Sequence, residues 1–335
     1  MSQGSDGQIA RAVALLRAGE LVAFPTETVY GLGADASNPR AVAKIFAAKG
    51  RPADHPLIVH LASAAALGSW ARELPPAAEK LAAAFWPGPL TMILKRAAGV
   101  PDAVTGGQDT VGLRVPDHPL ALALLGAFAG TTHGGLAAPS ANRFGRISPT
   151  TAAHVRAELG AAVALVLDGG ACAVGIESTI IDLSRGGAVL LRPGAIAAAA
   201  LARVLGGEVE EGGVATAGQP RVSGSLAAHY APATPLQLVP GAALIDAAIA
   251  ARARGLRVAV LARRSPPGAA GDLLWHQASA EPAGYAHDLY AALRQLDASG
   301  VELILVEAVP EDPPWGAVAD RLRRAAQGAV VQDET

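Results

Sequence analysis

Residues 206–235 constrain the fold of this chain more than any other stretch of it. Gly, Pro, Ser, Ala and Thr dominate the segment, and the hydrophobic periodicity found on either side of it lapses. Connections inside a compact domain usually run ~4–6 residues, so an interruption of about thirty separates two domains or forms a functional lid. The expected organisation is an N-terminal domain over 1–205, a linker or lid over 206–235, and a smaller C-terminal domain over 236–335. Glycines at 212, 213, 218 and 224 would let the segment swing, and Pro232 and Pro235 would stiffen its exit. Hydrophobic residues make up 51% of the 335 and charged ones 17%, enough to give each domain a core.

The first domain reads as mixed α and β. Leu21–Phe24, Leu57–Leu61, Thr91–Leu94, Val111–Val115, Val163–Leu167, Thr179–Leu183 and Val189–Leu191 are short apolar runs bounded by turn residues, hence strands. Asn38-Pro39 supplies a cap and a first-turn proline for a helix that Gly50 should end. A helix is expected over Pro75–Phe85. Ser148-Pro149 repeats the cap-plus-proline signal ahead of a helix to Leu159. After Leu236 strands and helices alternate, which predicts a small parallel sheet with helices on both faces, a Rossmann-like α/β arrangement.

Several function classes are excluded at once. Cys172 is the single cysteine, so there is no disulfide framework and no multi-cysteine zinc site, in keeping with a reducing compartment. No apolar run reaches the ~18 residues of a membrane span, and the N-terminus lacks the basic-then-apolar pattern of a signal peptide. A cytoplasmic protein without membrane attachment is expected. The net charge of −2 is low for a whole-chain nucleic-acid binder. Residues 1–205 carry 17 Lys+Arg against 14 Asp+Glu, a mild excess that suits a pocket for an anionic small molecule. Weak RNA binding stays open, because a basic concave surface would invite it.

No Walker loop, G-x-G-x-x-G turn, G-x-S-x-G elbow or H-E-x-x-H helix occurs. Instead, polar loops follow apolar strands: PTETVYGLG at 25–33, KGRPADHPLIVH at 49–60, VGLRVP at 111–116, APSAN at 138–142, EST at 177–179 and LRPG at 191–194. Each has a bland reading. Thr and Glu cap turns; Lys49 and Arg51 can complement a helix C-terminus; a lone histidine such as His60 is often a satisfied core residue. Arg114 interrupts an apolar strand, where burial demands an anion. That anion is either a ligand or an internal carboxylate such as Glu27 or Glu177.

Taken in order, these motifs together with WPGPLT closely resemble the YrdC-type threonylcarbamoyl-AMP synthases. The later HYAP at 229–232 resembles the longer, two-domain branch of that family. The resemblance implies a YrdC-like mixed α/β domain with a twisted sheet. It implies that Thr28, His60, Arg114, Ala138 and Ser178 face L-threonine. ATP would be held by Lys49, Arg51, His55, Thr110, Ser140, Ser148, Arg192 and Tyr230, with His229 and Tyr230 in a lid. Magnesium would enter with ATP rather than on protein side chains, and no organic cofactor is implied. The substrates would be ATP, L-threonine and bicarbonate, and the product would feed a separate tRNA threonylcarbamoyl-transfer complex. Two departures stand out. His55 occupies a position that is often asparagine in relatives, and the linker reads SGSLAAHYAP where relatives often carry an S-P-G-M run. A related domain occurs in hydrogenase-maturation carbamoyltransferases, but their cysteine-rich zinc fingers are incompatible with one cysteine.

Overall fold

The computed structural model describes residues 3–130, 134–212, 220–224, 226–268 and 273–330. Within the expected linker, 213–219 (including Gly213 and Gly218) and 225 lie outside the described residues. The chain forms two compact units. The first comprises Met1–Phe144, Pro149–Ala173 and Glu177–Ser225; the second comprises Gly145–Ser148, Val174–Ile176 and Leu226–Thr335. Two short pieces of the expected N-terminal domain thus cluster with the second unit, and the linker divides near residue 225.

The first unit is built on a mixed sheet. Its strands are β1 (Val22–Phe24), β2 (Gly31–Asp35), β3 (Ile58–His60), β4 (Leu90–Lys95), β5 (Thr110–Arg114), β6 (Leu136–Ala137), β7 (Leu165–Val166), β8 (Thr179–Asp182), β9 (Val189–Arg192) and β10 (Glu210–Glu211). Their order is β10-β9-β8-β4-β5-β3-β6-β2-β1-β7. The two-residue period of a strand explains what each face carries. Val59, Met92, Leu94, Val111, Leu113 and Ile181 enter the main core, with Leu32, Ile45 and Leu81. The intervening positions of the central strands, Ile58, His60, Thr91, Ile93, Thr110, Gly112, Arg114 and Ile180, lie on the other face. Polar groups and small apolar ones share that face, and it positions the site. A further apolar cluster joins Leu16, Leu124, Leu125 and Phe24, where the helices Gln3–Arg17 and Pro119–Ala129 pack together.

Local signals behave as their chemistry requires. The helix Pro39–Lys49 is capped by Asn38, whose side chain accepts from the N–H groups of Arg40 and Ala41. It ends at Gly50 in the left-handed region, φ +61°. The expected start at Ser148-Pro149 is a correction. The helix is Ala152–Leu159, and Thr151 caps it by accepting from His154 N–H at 3.3 Å. A hydroxyl must sit just outside the first turn to reach that donor, and Ser148 is too far upstream. The second half of PTETVYGLG is also not a loop: Gly31–Asp35 is strand β2. Gly33 is needed there because a Cβ would fall 2.8 Å from the Phe24 ring.

The second unit holds a parallel sheet of β11 (Leu236–Val239), β12 (Val258–Ala262), β13 (Leu274–Gln277) and β14 (Leu303–Glu307), in the order β11-β14-β12-β13. The inner strands β12 and β14 are buried at every position, as expected of parallel strands covered on both faces. Strand β13 escapes a sequence reading because Leu274-Trp275-His276-Gln277 is a short, half-exposed edge without an apolar run. Among the described residues no helix is long and apolar enough to cross a membrane.

Candidate active site

The PTET loop folds on itself before joining the site. Thr26 Oγ1 accepts from the N–H groups of Thr28 and Val29 at 3.2 Å and donates to the Val29 carbonyl at 2.7 Å, closing a tight hydroxyl-capped turn. Thr28 Oγ1 lies 2.8 Å from Thr26 Oγ1 and is fully buried. Between them Glu27 reaches β5: its Oε1 lies 2.7 Å from Arg114 Nη2, and its Oε2 accepts from Asp117 N–H at 3.0 Å. This settles the internal partner of Arg114 as Glu27. The ion pair is close but off the N–H direction, so Nη2 and Nε of Arg114 have no hydrogen-bond acceptor among the described residues. A guanidinium 4% exposed, with donors to spare, is prepared for a second carboxylate.

His60 pairs with Arg114 in the parallel β3–β5 register, and its ring meets Phe24 edge-on at 6.0 Å. Burial, reinforced by the Arg114 cation, pushes its pKa down to about 3. The imidazole is therefore neutral at physiological pH, and its Nδ1 has no partner among the described residues. Ala138 donates its N–H to the Ile58 carbonyl at 3.0 Å, which brings the APSAN segment against β3. Ser140 pairs with Gly31, and Ala141 N–H donates to the Tyr30 carbonyl at 2.9 Å.

The residues expected to face ATP are more tightly tied than their sequence suggests. Lys49 is 3% exposed, and its ammonium donates to the Ser140 and Asn142 carbonyls, each at 2.5 Å. Burial and then the nearby Arg51 charge hold its pKa well below the usual lysine range. It braces the PSAN turn. Arg51 donates to the Pro56 carbonyl at 2.9 Å and to Ser223 Oγ at 3.2 Å, and stacks near the Phe144 ring. His55 meets the same ring edge-on at 5.4 Å; partial burial and Arg51 lower its pKa. Arg192 donates from Nε and Nη2 to the carbonyl and hydroxyl of Ser178, both at 3.0 Å, and from Nη1 to the Ser223 carbonyl at 2.8 Å. Ser178 Oγ lies 2.8 Å from Thr91 Oγ1. Gly194 permits this approach, since a Cβ there would sit 2.4 Å from Thr179 N.

Residues 220–224 lie across this face. Val222 packs among Ile58, Ile93 and Ile180, over a narrow crevice that Thr110 and Gly112 also line. Arg221 is held by Asp54, Gln108 and the Gly106 carbonyl. Glu27 was one of two carboxylates the sequence offered to Arg114, whereas Thr91 and Ser223 are components that sequence reasoning missed. The last two carried no local signal, being a strand threonine and a linker serine. Ser148, His229 and Tyr230 belong to the second unit. Tyr230 is held there in the left-handed region, φ +62°, by His229 edge-on at 4.1 Å, Tyr290 stacked at 5.8 Å, and Arg321 over its ring at 5.3 Å. For a bulky residue such a conformation costs about 1–3 kcal/mol and needs surroundings of this kind.

Two domain families match the chain: one described as Telomere recombination over residues 14–194, and one described as Threonylcarbamoyl-AMP synthase, C-terminal domain, over 196–327. The threonylcarbamoyl-AMP synthase of Pyrococcus abyssi is 41% identical over 332 residues, covering 96% of this chain and 94% of the relative. The chain belongs to the Sua5/YrdC family. The Bacillus subtilis threonylcarbamoyl-AMP synthase is likewise 41% identical over 336 residues, covering 98% and 95%. Among solved structures, P. abyssi Sua5 complexed with L-threonine superposes with a TM-score of 0.87 at 38% identity, over 96% of this chain and 94% of that one. A P. abyssi Sua5 variant with an adjacent histidine and tyrosine changed to alanine gives 0.88 over 96% and 93%. The two-domain Sua5 form, with a mixed α/β unit and a parallel α/β unit, is therefore the fold of this chain.

Proposed function

We propose that this Sua5-family chain condenses L-threonine, bicarbonate and ATP into threonylcarbamoyl-AMP and pyrophosphate. The observation that carries this reading is the double hydrogen bond between Arg192 and Ser178. It fixes a cation and a hydroxyl on the sheet face that also bears His60 and the spare donors of Arg114. Arg114 takes the threonine carboxylate, since a guanidinium matches a carboxylate bidentately. Neutral His60, Thr28 and Ser178 supply uncharged hydrogen-bonding groups to the amino acid. The threonine amine attacks the carbon of bicarbonate, or of the carbon dioxide it yields; an N–C bond forms, one bicarbonate C–O bond breaks and water leaves, giving a carbamate. A carbamate oxygen then attacks the α-phosphorus, and pyrophosphate leaves with the electron pair of the broken P–O bond.

The protein supplies no nucleophile. It positions the reactants, balances charge and excludes water. Arg51 and Arg192 face the polyphosphate, with Thr110 and Ser140 as hydroxyl donors; Lys49 orients the turn that carries Ser140. Among the described residues no three His, Cys, Asp or Glu side chains converge into a metal site. A magnesium ion would arrive on the triphosphate, held by its oxygens, and help neutralise the leaving pyrophosphate, while Arg51 and Arg192 would balance the remaining phosphate charge. The strap 220–224 would close over the reactants as a lid. The activated product is a donor for tRNA threonylcarbamoylation by a separate enzyme.

The test is pyrophosphate release by the purified protein. Release from ATP that requires both L-threonine and bicarbonate supports the reading. Release independent of threonine overturns it.

A further inference from the structure

The second unit carries a polar cluster that the proposed reaction does not use. Each strand of its sheet is followed at the carboxyl edge by a member of the cluster: Gly241 after β11, Arg263 and Arg264 after β12, Tyr285 in the first turn of the helix after β13, and Glu307 and Trp315 at and after the end of β14. The chain leaves β12 toward the edge strand β13. It leaves β14 through the helix Gly316–Val330, which packs on β11 at the other side. The two connections diverge between the ends of β14 and β12, the arrangement in which open parallel sheets form a ligand-binding crevice.

The groups in that crevice are donors in excess. Glu307 Oε2 accepts from Arg263 N–H at 2.8 Å. Its Oε1 meets Arg263 Nη2 only at 3.5 Å and Arg264 Nη2 at 3.4 Å. Two guanidiniums thus share one carboxylate at long range, and Arg264 Nη2 donates in addition to the Gly241 carbonyl. Gly241 permits the convergence, because a Cβ there would lie 2.5 Å from Arg264 Nη2 and 2.7 Å from Glu307 Oε1. Arg263 also lies over the Trp315 ring at 5.3 Å, and Tyr285 meets the same ring edge-on at 5.6 Å. Tyr285 is 1% exposed, yet its hydroxyl has no partner among the described residues, and neither has Arg263 Nε. Burial raises the pKa of that phenol, Glu307 adds to the rise and Arg263 opposes it, so it remains a protonated donor. A buried donor without an acceptor destabilises the fold, and two around one arginine ask for a shared acceptor.

We infer that the carboxyl edge of the small sheet is a binding site for a compact oxyanion of the phosphate class, held by Arg263, Arg264 and the Tyr285 hydroxyl. A phosphate offers several acceptor oxygens and matches the guanidinium fork, and Glu307 keeps both arginines aimed while leaving one positive charge uncompensated. A neutral acceptor could meet the open donors but would leave the surplus positive charge unbalanced, which an oxyanion neutralises.

The experiment counts anion sites on the full-length protein by calorimetric titration with inorganic phosphate, pyrophosphate and AMP. It compares the parent with Arg263→Met, Tyr285→Phe and, as a control on the first unit, Arg51→Ala. Tyr285→Phe removes one oxygen and keeps the packing, so it tests the site even where Arg263→Met fails to fold. The expected result is that Tyr285→Phe and Arg263→Met each weaken one class of site at least tenfold. Threonine-dependent pyrophosphate release should continue in both, and Arg51→Ala should spare that class. Equal affinity for phosphate and AMP assigns the site to the bare anion; tighter AMP binding assigns it to a nucleotide phosphate. Affinities unchanged in both second-unit variants overturn the inference, whatever the synthase assay shows.

Discussion

Arg192 and Ser178 are joined twice, guanidinium Nε to the serine carbonyl and Nη2 to its hydroxyl, each at 3.0 Å. The residue expected to face ATP therefore sets the position of a residue expected to face threonine. The two substrate pockets share this joint, and it changes what a substitution should do.

Arg192→Ala is expected to raise the KM for both ATP and threonine, because Ser178 loses two of its anchors along with the phosphate cation. Arg114→Ala should raise the KM for threonine alone. Removing one member of a hydrogen-bonded charge pair costs roughly 2–5 kcal/mol, so either effect is large. Steady-state pyrophosphate release with each substrate varied separates them. An Arg192→Ala enzyme with an unchanged threonine KM would refute the coupling.

His60 makes stability acid-sensitive. Its folded pKa of about 3 lies below the ordinary histidine value, so the unfolded chain binds the extra proton between about pH 6.5 and 3. The stabilisation from neutral His60 is complete above about pH 6.5 and is lost as pH falls through that window. His55 and His118 shift in the same direction, chiefly through burial. Denaturant titrations at pH 7.5, 6 and 4.5 should therefore show a steeper acid loss in the parent than in His60→Gln. Parallel losses would show that His60 does not titrate in this way.

How much of this could be read beforehand depends on where the information sits. Asn38 and Gly50 announced a helix because capping is local: a side chain meets a backbone group three residues away. Arg114 was legible as an anion binder from its place in an apolar strand. That Glu27 is the internal partner follows only from the fold of a tight turn 87 residues earlier. Gly33 looked like loop punctuation because its reason, the Phe24 ring, lies on another strand. Strand β13 lacks an apolar run since it is an edge. Ser223 had no signal at all, being one small residue in a low-periodicity segment.

Lys49 is expected to act through the fold as much as through charge. Its ammonium satisfies the buried carbonyls of Ser140 and Asn142. Lys49→Met keeps most of the volume but leaves both carbonyls without that donor, at about 1–3 kcal/mol each. The melting temperature should fall by several degrees, and the KM for ATP should rise because Ser140 is no longer held. Lys49→Arg should not rescue it, since the bulkier fork does not fit a 3%-exposed site. A fully stable Lys49→Met protein with impaired ATP use would instead make Lys49 a direct phosphate ligand.

The strap over the first unit gives the last expectation. Val222 is 6% exposed among Ile58, Ile93 and Ile180, while Ser223 offers its hydroxyl to Arg51 and its carbonyl to Arg192. The apolar contact secures the strap, and the polar ones place it on the two cations proposed to hold the polyphosphate. Truncating Val222 to alanine removes two carbon groups at ~0.8 kcal/mol each, about a tenfold shift toward an undocked strap. A carbamate exposed to water decomposes, and ATP in an open site meets water as a competing nucleophile. Val222→Ala should therefore lower threonine-dependent pyrophosphate release about tenfold and uncover a threonine-independent release that the parent lacks. Ser223→Ala, which removes the hydroxyl's contacts with Arg51 and with the Pro56 carbonyl but leaves the apolar anchor, should shift the same ratio less. The measurement is pyrophosphate release with and without threonine at saturating ATP. An unchanged ratio in Val222→Ala would mean that the strap is a passive tether, and that water is kept out by the sheet face itself.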